Sequence, residues 1–199
     1  MVAATEWEKG AARAMEWEDG KRRCCWANPK NPRYVEYHDR EWGVPTHDDQ
    51  ALFELLILEC FQTGLSWECI LNKREAFRRA FDGFDLDAVC AYDDEKKASL
   101  QQDAGIVRNR LKIQAAVTNA QTFRAIQREF GSFDNYLWSW TEGKTLRETG
   151  LAHSPLSDAV SRDLKRRGMK FVGTTVVYAY LQAAGVIDSH EEGCFLHKE

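Results

Sequence analysis

The stretch "ALFELLILECFQTGLSW", residues 51–67, decides the fold. From Ala51 to Phe61 its only charged residues are Glu54 and Glu59. An apolar run of this length without alternation suits a helix buried nearly all round rather than a strand. Asp48 and Asp49 precede it as acidic capping residues. Gly64 breaks the helix, and Ser66 is placed to cap the next one, "SWECILNKREAFRRAF".

The same helical reading extends outward from Asp48. "DLDAVCAY" and "DDEKKASLQQ" are short helices opened by Asp85 and Asp93, and "RNRLKIQAAVTNAQTFRAIQREF" is the longest. "SFDNYLWSW" is capped by Ser132, and "SDAVSRDLKRRG" stops at Gly168. "GTTVVYAYLQAAG" closes on Gly185; Val176 and Val177 leave a strand open there, but length and alanines favour helix. Nothing else competes as a strand, so the expected class is all-α.

The two glutamates pose a problem of cost. Residues three and four apart share a helix face. Glu59 therefore shares its face with Leu55, Leu56, Gln62 and Thr63, while Glu54 points about 140° away. One of the two should face inward, and Glu59 has the polar followers that a cleft needs. Burying an unpaired carboxylate costs several kcal/mol. Either Glu59 caps a helix or pairs with an internal arginine, or it is a functional carboxylate at a pocket wall.

The chain has 199 residues, 44% hydrophobic and 29% charged, which fits one globular domain or two small lobes around a cleft. No apolar run is long enough to span a bilayer, and the N-terminus lacks a signal-peptide core. A soluble cytoplasmic protein is expected, in which six cysteines are thiols or metal ligands rather than a disulfide framework. Residues 1–21, with "EWEKG" and "EWEDG" in imperfect echo, read as a mobile or weakly helical extension before a domain at 22–199. Net charge is −4, yet "VRNRLK" (107–112) and "LKRRGMK" (164–170) concentrate basic residues beside glycine turns. Local patches of this kind can bind phosphates on an acidic protein.

Metal-type residues are split between the chain ends. His190 and Cys194 are four apart in "DSHEEGC", and Cys24 and His38 lie in "RCCWANPKNPRYVEYHDREWG". Two sulfur and two nitrogen donors suit a closed tetrahedral zinc site. Free thiols beside exposed histidines are the alternative, and Cys25 complicates the assignment. Trp26, Tyr34, Tyr37 and Trp42 form a dense aromatic group, for packing or for stacking on a flat ligand.

Taken together, "RCCW…YHDREWGVP", "LECFQTGLSW", "QDAGIVRNRLKIQAAVTNA", "KRRGMKFVGTTVVYAYLQAAGVIDSH" and the final His-x3-Cys resemble the 3-methyladenine DNA glycosylase I family over residues 22–195. The resemblance implies a two-lobed helix-hairpin-helix glycosylase fold, with a structural zinc on Cys24, His38, His190 and Cys194 joining the terminal segments. It implies base-excision repair: an alkylated adenine, chiefly 3-methyladenine, is flipped from double-stranded DNA and its N-glycosidic bond hydrolysed, leaving an abasic site. The family's pocket carboxylate falls on Glu59, in recognition or catalysis, with aromatic partners on Tyr37, Trp67, Trp26 and Tyr34. Its hairpin falls around Gly105, where turn amides with Arg108, Arg110 and Lys112 would hold a phosphate. Gly64 and Leu65 would fill the gap left by the extruded base. A monomer is expected.

The chain departs from the family pattern at Cys60, where glycine is usual, which puts pocket width and substrate range in question. The competing reading is a non-catalytic binder of damaged DNA or planar ligands on the same scaffold. A zinc hydrolase is disfavoured, because four protein ligands leave no open position for water.

Overall fold

The computed structural model describes residues 14–198. Among them are nine α-helices: α1 Pro32–Arg40, α2 Asp49–Gln62, α3 Trp67–Ala80, α4 Leu86–Cys90, α5 Asp94–Gln102, α6 Arg110–Phe130, α7 Phe133–Ser139, α8 Pro155–Arg166 and α9 Thr174–Ala183. The expected caps are in place. Side chains of Asp48, Ser66, Asp85, Asp93 and Ser132 each accept a backbone N–H in the first turn of their helix. Such a bond satisfies one of the orphan donors at a helix start and contributes about 1 kcal/mol.

Two features depart from the sequence reading. Helix α1 was not anticipated, although Asn31 caps it and Pro32 occupies its first position, a local start signal. Four two-residue strands are also present: β1 Met15–Glu16 pairs antiparallel with β2 Arg22–Arg23, and β3 Leu146–Arg147 pairs parallel with β4 Ile187–Asp188. Two-residue pairings carry no periodicity, so the sequence cannot announce them. Of the stretch read as an extension, residues 1–13 lie outside the described residues. Residues 15–23 form the β1–β2 hairpin, in which Arg23 donates to both Asp19 and Asp39.

Helix α2 is the axis of the core. Leu52 through Phe61 are all buried, and the helix packs against α3, α6, α7 and α9. Phe53 meets Phe84 and Phe123, while Phe61 meets Phe77 and Phe81. Each fully buried phenylalanine contributes roughly 1.5–3 kcal/mol, enough in sum to hold a carboxylate-bearing helix inside the protein.

Two connections place the chain ends. The loop after α1 runs tightly over the end of α9, with Gly43 N–H donating to Gln182 O at 3.1 Å and Thr46 N–H to Ala184 O at 3.0 Å. Gly185, at φ +72°, makes this approach possible: a Cβ there would lie 2.4 Å from Val44 C. At the C-terminus Phe195 N–H donates to Arg22 O at 2.8 Å, bringing Cys194 onto the strand that leads to Cys24.

Candidate functional site

Glu59 projects from the last turns of α2 and is only 2% exposed. Its Oε2 is buried with no hydrogen-bond partner among the described residues. Burial alone pushes its pKa up to about 8. The internal-arginine solution is taken by the other glutamate. Glu59 faces inward as expected; Glu54 is buried as well, and it is bound by Arg74 and Arg78 from α3.

Aromatic rings gather around the unpaired carboxylate. Tyr37 comes from α1 and Trp67 from the first position of α3, with ring centroids 5.2 Å apart. Trp26 lies 5.3 Å from Tyr34 and 6.4 Å from Tyr37. Burial raises the pKa of Tyr37, with a further push from the Glu59 charge. Tyr34 is pushed up to about 12 by burial, Glu68 and Glu59, so the carboxylate is within electrostatic reach of both phenols. Trp67 Nε1 is a second buried polar atom without a partner among the described residues. Buried polar groups are normally satisfied. A donor and an acceptor both left open in an aromatic setting suit a flat, polar-edged ligand.

Beyond α2, residues 63–66 form an exposed turn with Gly64 at φ +79° and Leu65 41% exposed. Its form is held by Leu65 N–H donating to Gln62 O at 2.6 Å. The α5–α6 connection, residues 103–109, has a different role for its glycine than expected. Gly105 N–H is taken by Asp103 Oδ1 at 2.7 Å, so it is no open donor. A Cβ on Gly105 would lie 2.9 Å from both Ala76 Cβ and Asp103 Oδ1, so glycine is required for close packing on α3. Lys73 of α3 donates to the Ala104 and Gly105 carbonyls. Asn109 caps α6 by accepting from Leu111 and Lys112 N–H.

Arg108 and Arg110 are exposed at this turn, as expected. Lys112 is not: it is buried, and its ammonium donates to Phe61 O at 2.8 Å and Thr63 O at 2.6 Å. The reading of Lys112 as a phosphate contact is therefore corrected. A side chain on the first turn of α6 faces the open end of α2, and the ladder of unsatisfied carbonyls there captures it. The second basic stretch is likewise partly spent inside the fold, with Arg166 and Arg167 paired to Asp163 and Arg167 also to Glu129.

Cys60 is engaged by α6 and by the turn before α9. Asn119 Nδ2 donates to its Sγ at 3.5 Å and to Lys170 O at 2.9 Å, while Lys170 N–H donates to Asn119 Oδ1 at 2.8 Å. The side chain thus fills space between α2, α6 and the turn before α9.

The chain ends meet at a cluster that can hold a metal ion: ligand atoms of Cys24, His38 and Cys194 lie within 4.8 Å of one another, all on buried residues. His190 is close by, its ring centroid 5.5 Å from that of His38. The two histidines are oriented alike, His38 Nδ1 against Asp39 at 2.8 Å and His190 Nδ1 against Asp188 at 2.7 Å. This leaves each Nε2 toward the cysteines or the interior, the arrangement of carboxylate-supported metal ligands. His190 Nε2 is buried without a partner among the described residues. The pKa of the Cys194 thiol is held well below its ordinary value, mainly by the hydrogen bond from Cys24.

Known proteins share this architecture. The family described as methyladenine glycosylase matches residues 26–197. DNA-3-methyladenine glycosylase 1 of Escherichia coli (strain K12) is 44% identical over 179 residues, covering 86% of this chain and 95% of the relative. The DNA-3-methyladenine glycosylase of Haemophilus influenzae is 35% identical, covering 86% and 96%. A crystal structure of 3-methyladenine DNA glycosylase I superposes with a TM-score of 0.85 at 41% identity, covering 88% of this chain and 100% of the other. The Staphylococcus aureus enzyme, solved for the basis of its 3-methyladenine recognition, gives 0.82 at 36% identity, covering 85% and 94%. The chain belongs to the methyladenine glycosylase family.

Proposed function

We propose that this protein is a monofunctional DNA glycosylase of base-excision repair. It hydrolyses the N-glycosidic bond of alkylated adenine, chiefly 3-methyladenine, in double-stranded DNA and leaves an abasic site. The observation that carries this reading beyond family membership is the pair of buried, unpartnered atoms Glu59 Oε2 and Trp67 Nε1 beside the Tyr37 ring.

Alkylation at a ring nitrogen makes the base cationic and a better leaving group. Aromatic faces from Tyr37, Trp67, Trp26 and Tyr34 attract such a ring. Glu59, at the pocket floor, accepts hydrogen bonds from the base edge that normal adenine satisfies less well. The base must first leave the stack, and weakened pairing makes a damaged base cheaper to flip. Leu65, projecting from the Gly64 turn, fills the vacated step, and Arg108 and Arg110 bind backbone phosphates at the helix-hairpin-helix turn. Gly105 N–H is occupied, whereas Val107 and Arg108 N–H donate to no partner among the described residues and are free for a phosphate. No step requires an amine nucleophile: the ammonium of Lys112, at the end of the pocket helix, is occupied by two carbonyls.

Cys24, His38, His190 and Cys194 would hold a structural zinc, and the buried, unpartnered His190 Nε2 fits that use. A closed four-ligand set serves to fasten the chain ends around Trp26 and Tyr37 rather than to activate water. We assign the activity to residues 22–199 acting as a cytoplasmic monomer.

Release of free 3-methyladenine from methylated duplex DNA tests the proposal, with Glu59→Gln reduced by at least about a hundredfold. Absence of release by folded, zinc-loaded wild-type protein would overturn it. Tight binding to an abasic-site duplex without release would point instead to a damage binder.

A further inference from the structure

Two lysines at the α5–α6 connection are turned inward. Lys73 donates to the carbonyls of Ala104 and Gly105, at 3.2 and 3.1 Å, and Lys112 to those of Phe61 and Thr63. The second contact spans two parts of the site. Lys112 belongs to the first turn of α6, two residues from the exposed Arg110. Its carbonyl partners end the helix that carries Glu59, and Thr63 opens the exposed turn that carries Leu65. A charged donor on terminal carbonyls is favoured both by the unmet hydrogen bonds and by the helix dipole. No other hydrogen bond among the described residues ties Thr63 down from outside its own turn.

We infer that Lys112 is a positioning residue: its buried ammonium locks the phosphate-binding turn to the C-terminal end of the pocket helix, and thereby sets where the Gly64–Leu65 turn stands relative to DNA held at Arg108 and Arg110. This inference rests on the glycosylase reading. Its physical basis is that backbone contacts give register but carry no lesion information. A rigid link is needed to convert phosphate register into correct placement of the wedge and pocket. Lys112 is built for the link and not for the phosphate, because both of its observed bonds run to protein carbonyls.

Lys112→Met and Lys112→Gln separate the two roles. Three quantities are read from each: single-turnover base release, the slope of log affinity for an abasic-site duplex against log salt concentration, and affinity for free 3-methyladenine. The expected result is a roughly ten- to hundredfold loss of base release, with salt slope and free-base affinity unchanged. A slope smaller by about one would make Lys112 a phosphate contact and overturn the inference. Unchanged base release would overturn it too, as would loss of free-base binding in both variants, since the lysine would then only support the core. Hydrogen exchange at the Leu65 amide is independent of activity: it should quicken in both variants, and unchanged exchange would defeat the link even if wild-type protein released no base.

Discussion

Glu54 and Glu59 lie on one buried helix, and among the described residues only Glu54 is neutralised: two arginines of α3 bind it, while Glu59 Oε2 has no partner there. The same residue type is thus structural at one position and available to a ligand five residues later.

Substitution should separate these roles. Glu54→Ala leaves Arg74 without its inner carboxylate, and a loss of about 3 kcal/mol is expected in denaturant unfolding. Glu59→Gln removes a buried, unpaired carboxyl group that begins to ionise near pH 8. It should unfold at equal or higher denaturant at pH 8 while losing base release.

The pH dependence follows from linkage. Glu59 has a folded pKa of about 8, above its ordinary 4.5, so the native state holds the extra proton between those values. Its contribution to stability is then greatest below pH 4.5 and is lost as pH rises toward 8. The difference in melting temperature, wild type minus Glu59→Gln, should therefore become more negative from pH 5 to pH 8. A flat difference would mean that Glu59 is not buried unpaired.

For the metal centre, one zinc per chain is expected by elemental analysis, and Cys194→Ala should lose it. The loss should lower stability by an amount on the order of several kcal/mol, and a chelator should have the same effect on wild-type protein. Unchanged zinc content in the variant would remove Cys194 from the ligand set.

At the DNA face, Arg108→Ala and Arg110→Ala should each reduce the salt slope of duplex binding by about one and weaken all sequences alike. Leu65→Ala should leave that slope intact and reduce base release from duplex DNA. Free 3-methyladenine affinity, measured by titration, should be unaffected in all three.

Much of this protein was determined by local chemistry that the sequence displays. Asp48, Ser66, Asp85, Asp93 and Ser132 cap their helices because a short polar side chain meets orphan amides within its own turn. The apolar run from Leu52 to Phe61 has no stable place except the interior. The motifs around Glu59, Tyr37 and Trp67 carried the family. What sequence alone could not decide is where charged groups find their partners, because those partners are remote along the chain. Glu54 is settled by arginines twenty and twenty-four residues away, Lys112 by carbonyls some fifty residues back, and Cys60 by Asn119. Charge and periodicity are properties of a segment, whereas an ion pair or a capped carbonyl depends on which two segments the core brings together. The tertiary structure therefore decided which glutamate stays open and which lysine does not reach the surface.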